Sequence, residues 1–306
     1  MRVAITGATG LVGRHLVDRL LERGDEVVAF TRNVARTEKR LPEGVAAARW
    51  ETTSPNMIVE VLAETDAVVH LAGEPVLGRR WSQKVKDAIR SSRVEGARTL
   101  VGAMGMASAR PKVLVSASAT GFYGPRGPDD VVDEEAIPGY GFLSHVSRDW
   151  ETQAKKAEAL GIRVAIARIG IVLTRKGGAL ARMRLPFRLF LGGRIGNGRQ
   201  GFPWIHVDDL TGILLHALDG PEVRGTLNAC APSPVSNRDF CRTLGKAMRR
   251  PSWLPVPGTM LRLFMGEVAG LLTTGQYVVP KRTLESGYEF AHPELEGALA
   301  DLLRKD

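Results

Sequence analysis

With 306 residues, 44% of them apolar and 25% charged, the chain has the composition of a soluble globular protein one or two domains long. Disordered, fibrous and collagen-like classes are excluded. Two cysteines, Cys230 and Cys241, cannot build a disulfide framework or a cysteine-rich zinc site, so both are expected as reduced, buried thiols of a cytoplasmic protein.

In chain order the first half alternates strand and helix patterns. Arg2–Thr6 reads as a buried strand, with no secretory h-region before it. Leu11–Arg23 follows as a helix closed by Gly24. Glu26–Phe30 and Val45–Trp50 are the next strands, then a Ser54–Glu64 helix with Pro55 at its first position. Ala67–Leu71, a long Trp81–Met106 helix, a Lys112–Ser116 strand, a Phe142–Leu160 helix closed by Gly161 and an Arg163–Ile169 strand complete the series. This alternation predicts an α/β, doubly wound parallel (Rossmann) sheet. Gly177–Gly201 is rich in Gly and Arg and breaks the rhythm. Val207–Leu218 (helix) and Thr226–Ala229 (strand) restore it, Ser236–Arg249 is a helix, and the tail is cut by Gly275, Pro280, Gly287 and Pro293. The expected division is a nucleotide-binding domain over residues 1–175, completed by 205–230. A smaller, mainly helical substrate or cap domain takes 176–204 and 231–306. No apolar run approaches the ~20 residues that span a bilayer.

Charge is concentrated. From Ala159 to Val207 there is no Asp or Glu but nine Arg or Lys, equal to the formal net charge of +9 for the whole chain. Such a stretch suggests an anion-facing surface. It carries few stacking aromatics and no nucleic-acid module, so the expected partner is a small anionic molecule, not nucleic acid or membrane.

The strongest motif is Gly7-Ala8-Thr9-Gly10-Leu11-Val12-Gly13 between the first strand and its helix. Gly7 allows the tight turn, Gly10 lets the backbone approach a pyrophosphate and Gly13 lets helix and strand pack closely. The helix N-terminus adds N–H donors and a positive dipole end. At the end of the second strand, where a carboxylate would take the ribose 2′-OH of NAD, stand Thr31-Arg32-Asn33. Arg32 suits a 2′-phosphate, which predicts NADP(H) over NAD(H).

These residues, with His70-Leu71-Ala72-Gly73, Val115-Ser116-Ala117-Ser118, Gly121-Phe122-Tyr123-Gly124, Arg148-Asp149-Trp150-Glu151 and Trp204-Ile205-His206-Val207-Asp208-Asp209, resemble the extended short-chain dehydrogenase/reductases. The resemblance is to the NAD-dependent epimerase/dehydratase group, in the atypical branch labelled epimerase family protein. Pro280-Lys281 and Gly287-Tyr288-Glu289-Phe290 resemble the small C-terminal domain of unknown function that ends this branch. The resemblance implies that Gly7, Thr9, Gly10, Leu11, Val12, Gly13, Arg32, Leu71, Ala72, Gly73, Ser116, Ile169 and Gly170 hold the cofactor, and that Ser118 matches the catalytic Ser/Thr. It also implies a homodimer through Trp81–Met106 and Phe142–Leu160, although packing on the chain's own sheet accounts for their apolar stripes equally well.

One departure matters. Active members carry Tyr-x-x-x-Lys, a proton donor whose pKa a lysine lowers. Leu143 and Ser147 stand at those two positions here. Tyr123 is then a candidate acid, with Glu74 and His145 behind it, while His206 with Asp208 and Asp209 lacks a third ligand at metal spacing, so no metal is expected. The expected function is an NADP(H)-dependent oxidoreductase acting on a small anionic carbonyl or hydroxyl compound. A non-catalytic NADP(H)-binding regulator and a nucleotide-sugar epimerase or dehydratase are the alternatives.

Overall fold

Short runs such as Val3-Ala4-Ile5 have no polar face, so a strand made of them has to be covered on both sides. A computed structural model, which describes residues 1–304, shows this arrangement; Lys305 and Asp306, the end of the expected cap, lie outside the described residues. Seven parallel strands, β1 (Arg2–Thr6), β2 (Glu26–Thr31), β3 (Val45–Arg49), β4 (Ala67–His70), β5 (Val113–Ala119), β6 (Arg163–Ile169) and β7 (Gly225–Ala229), run in the order β7-β6-β5-β4-β1-β2-β3. The order reverses direction between β1 and β4, the switch point where open α/β sheets bind ligands.

Side chains of β1 alternate between two cores. Val3 and Ile5 pack with Leu16 and Leu20 of α1 (Leu11–Glu22) and with Ile213 and Leu214 of α5 (Val207–Asp219). Ala4 faces the opposite layer, with Leu100 and Met104 of α2 (Gln83–Met106) and Ala154 of α3 (Phe142–Lys155). Each fully buried Leu, Ile or Val in these layers contributes about 1.5–3 kcal/mol. The apolar stripes of α2 and α3 are therefore covered by the chain's own sheet.

A third core joins Leu180 and Phe187 of α4 (Gly178–Arg188), Phe240 and Leu244 of α6 (Asn237–Met248), and Leu295 and Leu299 of α8 (Leu295–Leu303). Helix α4 corrects the expectation of an irregular Gly/Arg segment. Its buried residues lie seven apart, two helical turns, but Gly177-Gly178 and Pro186 hide that period in the sequence. The expected Ser54–Glu64 helix is two pieces, a 3₁₀ turn over Pro55–Ile58 and a helix over Val59–Ala63. Ile58, wholly buried at the junction, takes φ −122°, outside helical geometry.

The tail is stitched into the sheet domain. Tyr277–Val278 pairs in parallel with Val131–Val132. The Glu134 carboxylate accepts from the backbone N–H of both Asn228, on β7, and Arg282. Helix α7 (Gly258–Met265) has no buried residue. Among the described residues, no helix is long and apolar enough to cross a membrane.

Candidate functional site

The glycine turn forms a backbone cradle. Gly7 has φ +76°, and a Cβ there would lie 2.9 Å from the Ala72 nitrogen. Gly10 N–H donates to the Gly7 carbonyl at 2.9 Å, and a Cβ on Gly13 would fall far inside contact with the same carbonyl oxygen. Above the turn lies a cleft of about 520 Å³ lined by Gly7, Thr9, Gly10, Arg32, Leu71, Ala72 and Gly73 of the expected set. Trp50, Thr52 and Ser91, which the sequence reading missed, line it too. Leu11, Val12, Gly13 and Ser116 do not line it; Ser116 is buried in β5 behind it. The dimensions and the helix N-terminus with no acid in its first turn fit a dinucleotide, and Arg32 is exposed at the end of the cleft. Asp25, at the start of β2, is paired with the N-terminal amine and Arg23.

The cradle is braced from below. Thr6 Oγ1 accepts from the N–H groups of Leu71 and Ala72, both at 3.1 Å, so its own proton goes to His70 Nδ1 at 2.7 Å. His70 is therefore neutral with its proton on Nε2, which is buried without a partner between the Trp50 and Trp150 rings. Burial first, and then the charge of Arg93, push its pKa down to about 4. A histidine with a lowered folded pKa stabilises above its unfolded value near 6.5, and that stability is lost as pH falls toward the folded value. We expect His70 alone to cost about 2 kcal/mol between pH 7 and 5. A urea midpoint that does not move over this interval would refute the assignment.

Arg93, also missed in the sequence, supports the other wall. Its guanidinium donates to the carbonyls of Glu74 (2.9 Å) and Ile89 (3.2 Å) and packs over Trp150. Burial lowers its pKa to about 10, still protonated at neutrality.

The loop after β4 serves two cavities. Leu71–Pro75 lines the cofactor cleft, and Val76–Arg80 lines a second cavity of about 710 Å³ between the sheet and the C-terminal elements. Ile169 and Gly170 open onto this second cavity, together with Thr120 and Leu143. The position of the family tyrosine thus faces the cavity, but as leucine. Among the described residues, no Asp, Glu, His, Lys, Cys or Tyr lines the cavity, and its ionisable groups are Arg79, Arg80 and Arg182.

Ser118 and Tyr123, expected at the reacting carbon, lie elsewhere. Both are buried and line neither cavity. Ser118 Oγ donates to Glu151 at 2.7 Å, and Arg168 grips the same carboxylate at 2.8 and 2.9 Å. Arg168 also donates to Tyr123 OH at 2.9 Å, and that hydroxyl donates to Asn228 Oδ1 at 2.6 Å. Burial raises the Tyr123 pKa to about 12 against the pull of Arg168. A phenol so held has no path to a substrate and no tendency to release its proton. The chain packs these two residues into an ion-pair network, in which Glu151, one helical turn beyond Ser147, supplies the countercharge that Arg168 needs. Glu74 borders the cofactor cleft and His145 is exposed on α3.

The basic stretch divides likewise. Arg163 is spent on the carbonyls of Ala217, Leu218 and Val223 at the end of α5, and Arg168 on Glu151. Arg182 is the member that reaches the second cavity.

His206, His292 and Asp301, from three distant segments, gather their ligand atoms within 4.8 Å of one another. His206 Nδ1 accepts from Asp208 N–H at 3.1 Å, which places the imidazole proton on Nε2, 3.4 Å from Asp301 Oδ2. Nε2 therefore carries a proton, and it is buried without a hydrogen-bond partner.

A cleft at the switch point of a Rossmann sheet, with a cavity beyond it, is the arrangement that short-chain dehydrogenase/reductases share. Residues 3–230 match the NAD dependent epimerase/dehydratase family and residues 256–302 match the domain of unknown function DUF1731, and the chain belongs to that family. It is 40% identical to the chloroplastic homolog of epimerase family protein SDR39U1 from Arabidopsis thaliana, over 99% of this chain and 87% of that protein. It is 36% identical to the epimerase family protein YfhF of Bacillus subtilis, over 99% and 98%. The crystal structure of human SDR39U1 (isoform 2) with NADPH superposes with a TM-score of 0.86 at 36% identity, covering 99% of both chains. UDP-glucuronic acid 4-epimerase from Bacillus cereus, solved with UDP-glucuronic acid and NAD, shares the fold alone, with a TM-score of 0.78 at 18% identity and 98% and 96% coverage.

Proposed function

We propose that the chain is an NADP(H)-dependent oxidoreductase of a small carbonyl or hydroxyl compound bearing an anionic group. The observation that carries this reading is the cleft that ends at Arg32, flanked in sequence by Thr31 and Asn33 where a carboxylate would favour NAD. The NADPH bound by human SDR39U1 supports the same preference. In this reading residues 1–175 and 205–230 hold the cofactor, and 176–204 with 231–304 form the cap that walls the substrate.

The bound cofactor supplies hydride; this chain supplies position and charge. Ile169 and Gly170 floor the second cavity, and Thr120, just beyond β5, lines it where Ser118 does not. Arginines at the cavity hold a substrate anion or a developing oxyanion. With no titratable acid in the wall, the proton comes from solvent.

Fluorescence titration with NADPH and NADH tests the reading. Arg32→Ala is expected to weaken NADPH about tenfold to a hundredfold, the worth of one charged hydrogen-bonded contact, and to leave NADH nearly unchanged. Equal or tighter binding of NADH by the unaltered protein overturns the preference. The second reading, a non-catalytic NADP(H)-binding regulator, is favoured by Leu143 at the tyrosine position. Tight NADPH binding, no turnover of any carbonyl compound and a partner affinity that changes with NADPH would select it.

A further inference from the structure

The second cavity is large enough for a drug-sized ligand, and several of its polar side chains are engaged with backbone groups of the wall itself. Gln200 donates both amide hydrogens, to the carbonyls of Ile195 (3.1 Å) and Leu272 (2.9 Å). Gln276 Nε2 donates to the Gly124 carbonyl at 2.7 Å, and Asn237 Oδ1 accepts from Ile195 N–H at 2.8 Å. Thr274 Oγ1 donates to the Gly270 carbonyl at 2.7 Å. Apart from Thr120 and three arginines, the rest of the wall is apolar, with Val76, Leu143, Ile171, Met183, Phe202 and Leu271 among its residues. A sugar placed here would lose water from its hydroxyls and find few partners, at a cost of about 1–3 kcal/mol for each hydroxyl left unpaired. An aliphatic or aromatic body would lose nothing and gain from each buried carbon. The arginines Arg79, Arg80 and Arg182, with no carboxylate in the lining, favour one negative charge on such a body.

We propose that this cavity binds an extended apolar molecule with a single anionic head group, a medium-chain carboxylate being the simplest example, and rejects nucleotide sugars. The inference rests on the second cavity being the substrate site. Its test is binding, independent of turnover and of cofactor.

The probe is cis-parinaric acid, a fluorescent polyene carboxylate, titrated into the full chain with dodecanoate and UDP-glucose as competitors. Parinarate is expected to bind, to be displaced by dodecanoate and to be indifferent to UDP-glucose. Leu271→Glu, which puts a negative charge in the wall, should abolish binding, and Arg182→Ala should weaken it about tenfold, the worth of one surface-accessible charged contact. NADPH titration of the same samples reports that each variant is folded and keeps failure of the cofactor reading separate from failure of this one. Displacement by UDP-glucose, no parinarate binding by protein that binds NADPH, or parinarate binding untouched by Leu271→Glu each overturn the proposal.

Discussion

Replacing Arg168 by methionine is expected to destabilise the fold by about 3–5 kcal/mol, because Glu151 would remain as a buried carboxylate without its countercharge. Both side chains are almost wholly enclosed, with side-chain exposures of 4% and 3%. The guanidinium also stacks over the Phe122 ring, 3.4 Å from its centroid, so that contact goes too. In a chain of this size the loss corresponds to a drop in melting temperature of about 10 °C. The informative control is Arg168→Met with Glu151→Met, which removes both charges and should recover much of the loss. If the single substitution melts within about 1 °C of the unaltered protein, the network does not hold the sheet to α3 as described.

Gly13→Ala is the second large effect. By helix propensity alone it should stabilise α1 by about 1 kcal/mol. Instead the added methyl meets the Gly7 carbonyl oxygen and the Ala8 backbone, neither of which is the movable end of a side chain. Helix α1 has to lift from β1, which costs about 3 kcal/mol as an overpacked contact. It also displaces the N–H groups that face the pyrophosphate, and NADPH affinity should fall at least about a hundredfold. Gly102→Ala provides the contrast. That glycine lies exposed in α2 with open space where its Cβ would stand, so the same substitution should stabilise by about 0.5–1 kcal/mol. Melting curves and NADPH titrations on the two variants check both signs; a Gly13→Ala protein with unaltered NADPH affinity would refute the close approach.

The sheet and the cofactor cradle were legible because each depends on local pattern. Apolar runs of five residues, glycines at fixed spacing and a capping Gly161 are set within a few residues of one another, and each is found where the pattern puts it. What was not legible depends on pairs far apart in the chain. Glu151 and Arg168 hold Ser118 and Tyr123 in a buried network, and no spacing rule joins four residues from β5, the turn after it, α3 and β6. The bonds of Gln200 to the Leu272 carbonyl and of Gln276 to the Gly124 carbonyl are equally non-local, and no pattern in the sequence points to them. Helix α4 was obscured for a different reason: its glycines and Pro186 carry poor propensity, and the burial of Leu180 and Phe187 by α6 and α8 overrides it.

The stitching of the tail sets the order of events during synthesis. Asp209, at the start of α5, is buried and accepts from the N–H groups of Ala291 (2.7 Å) and His292 (2.9 Å) and from Tyr288 OH. Glu134 likewise waits for Arg282 N–H. On a ribosome that has completed the seventh strand, both carboxylates are in place but short of donors that will be made more than fifty residues later. Until then water must serve these two carboxylates, and the tail's arrival exchanges that water for backbone donors.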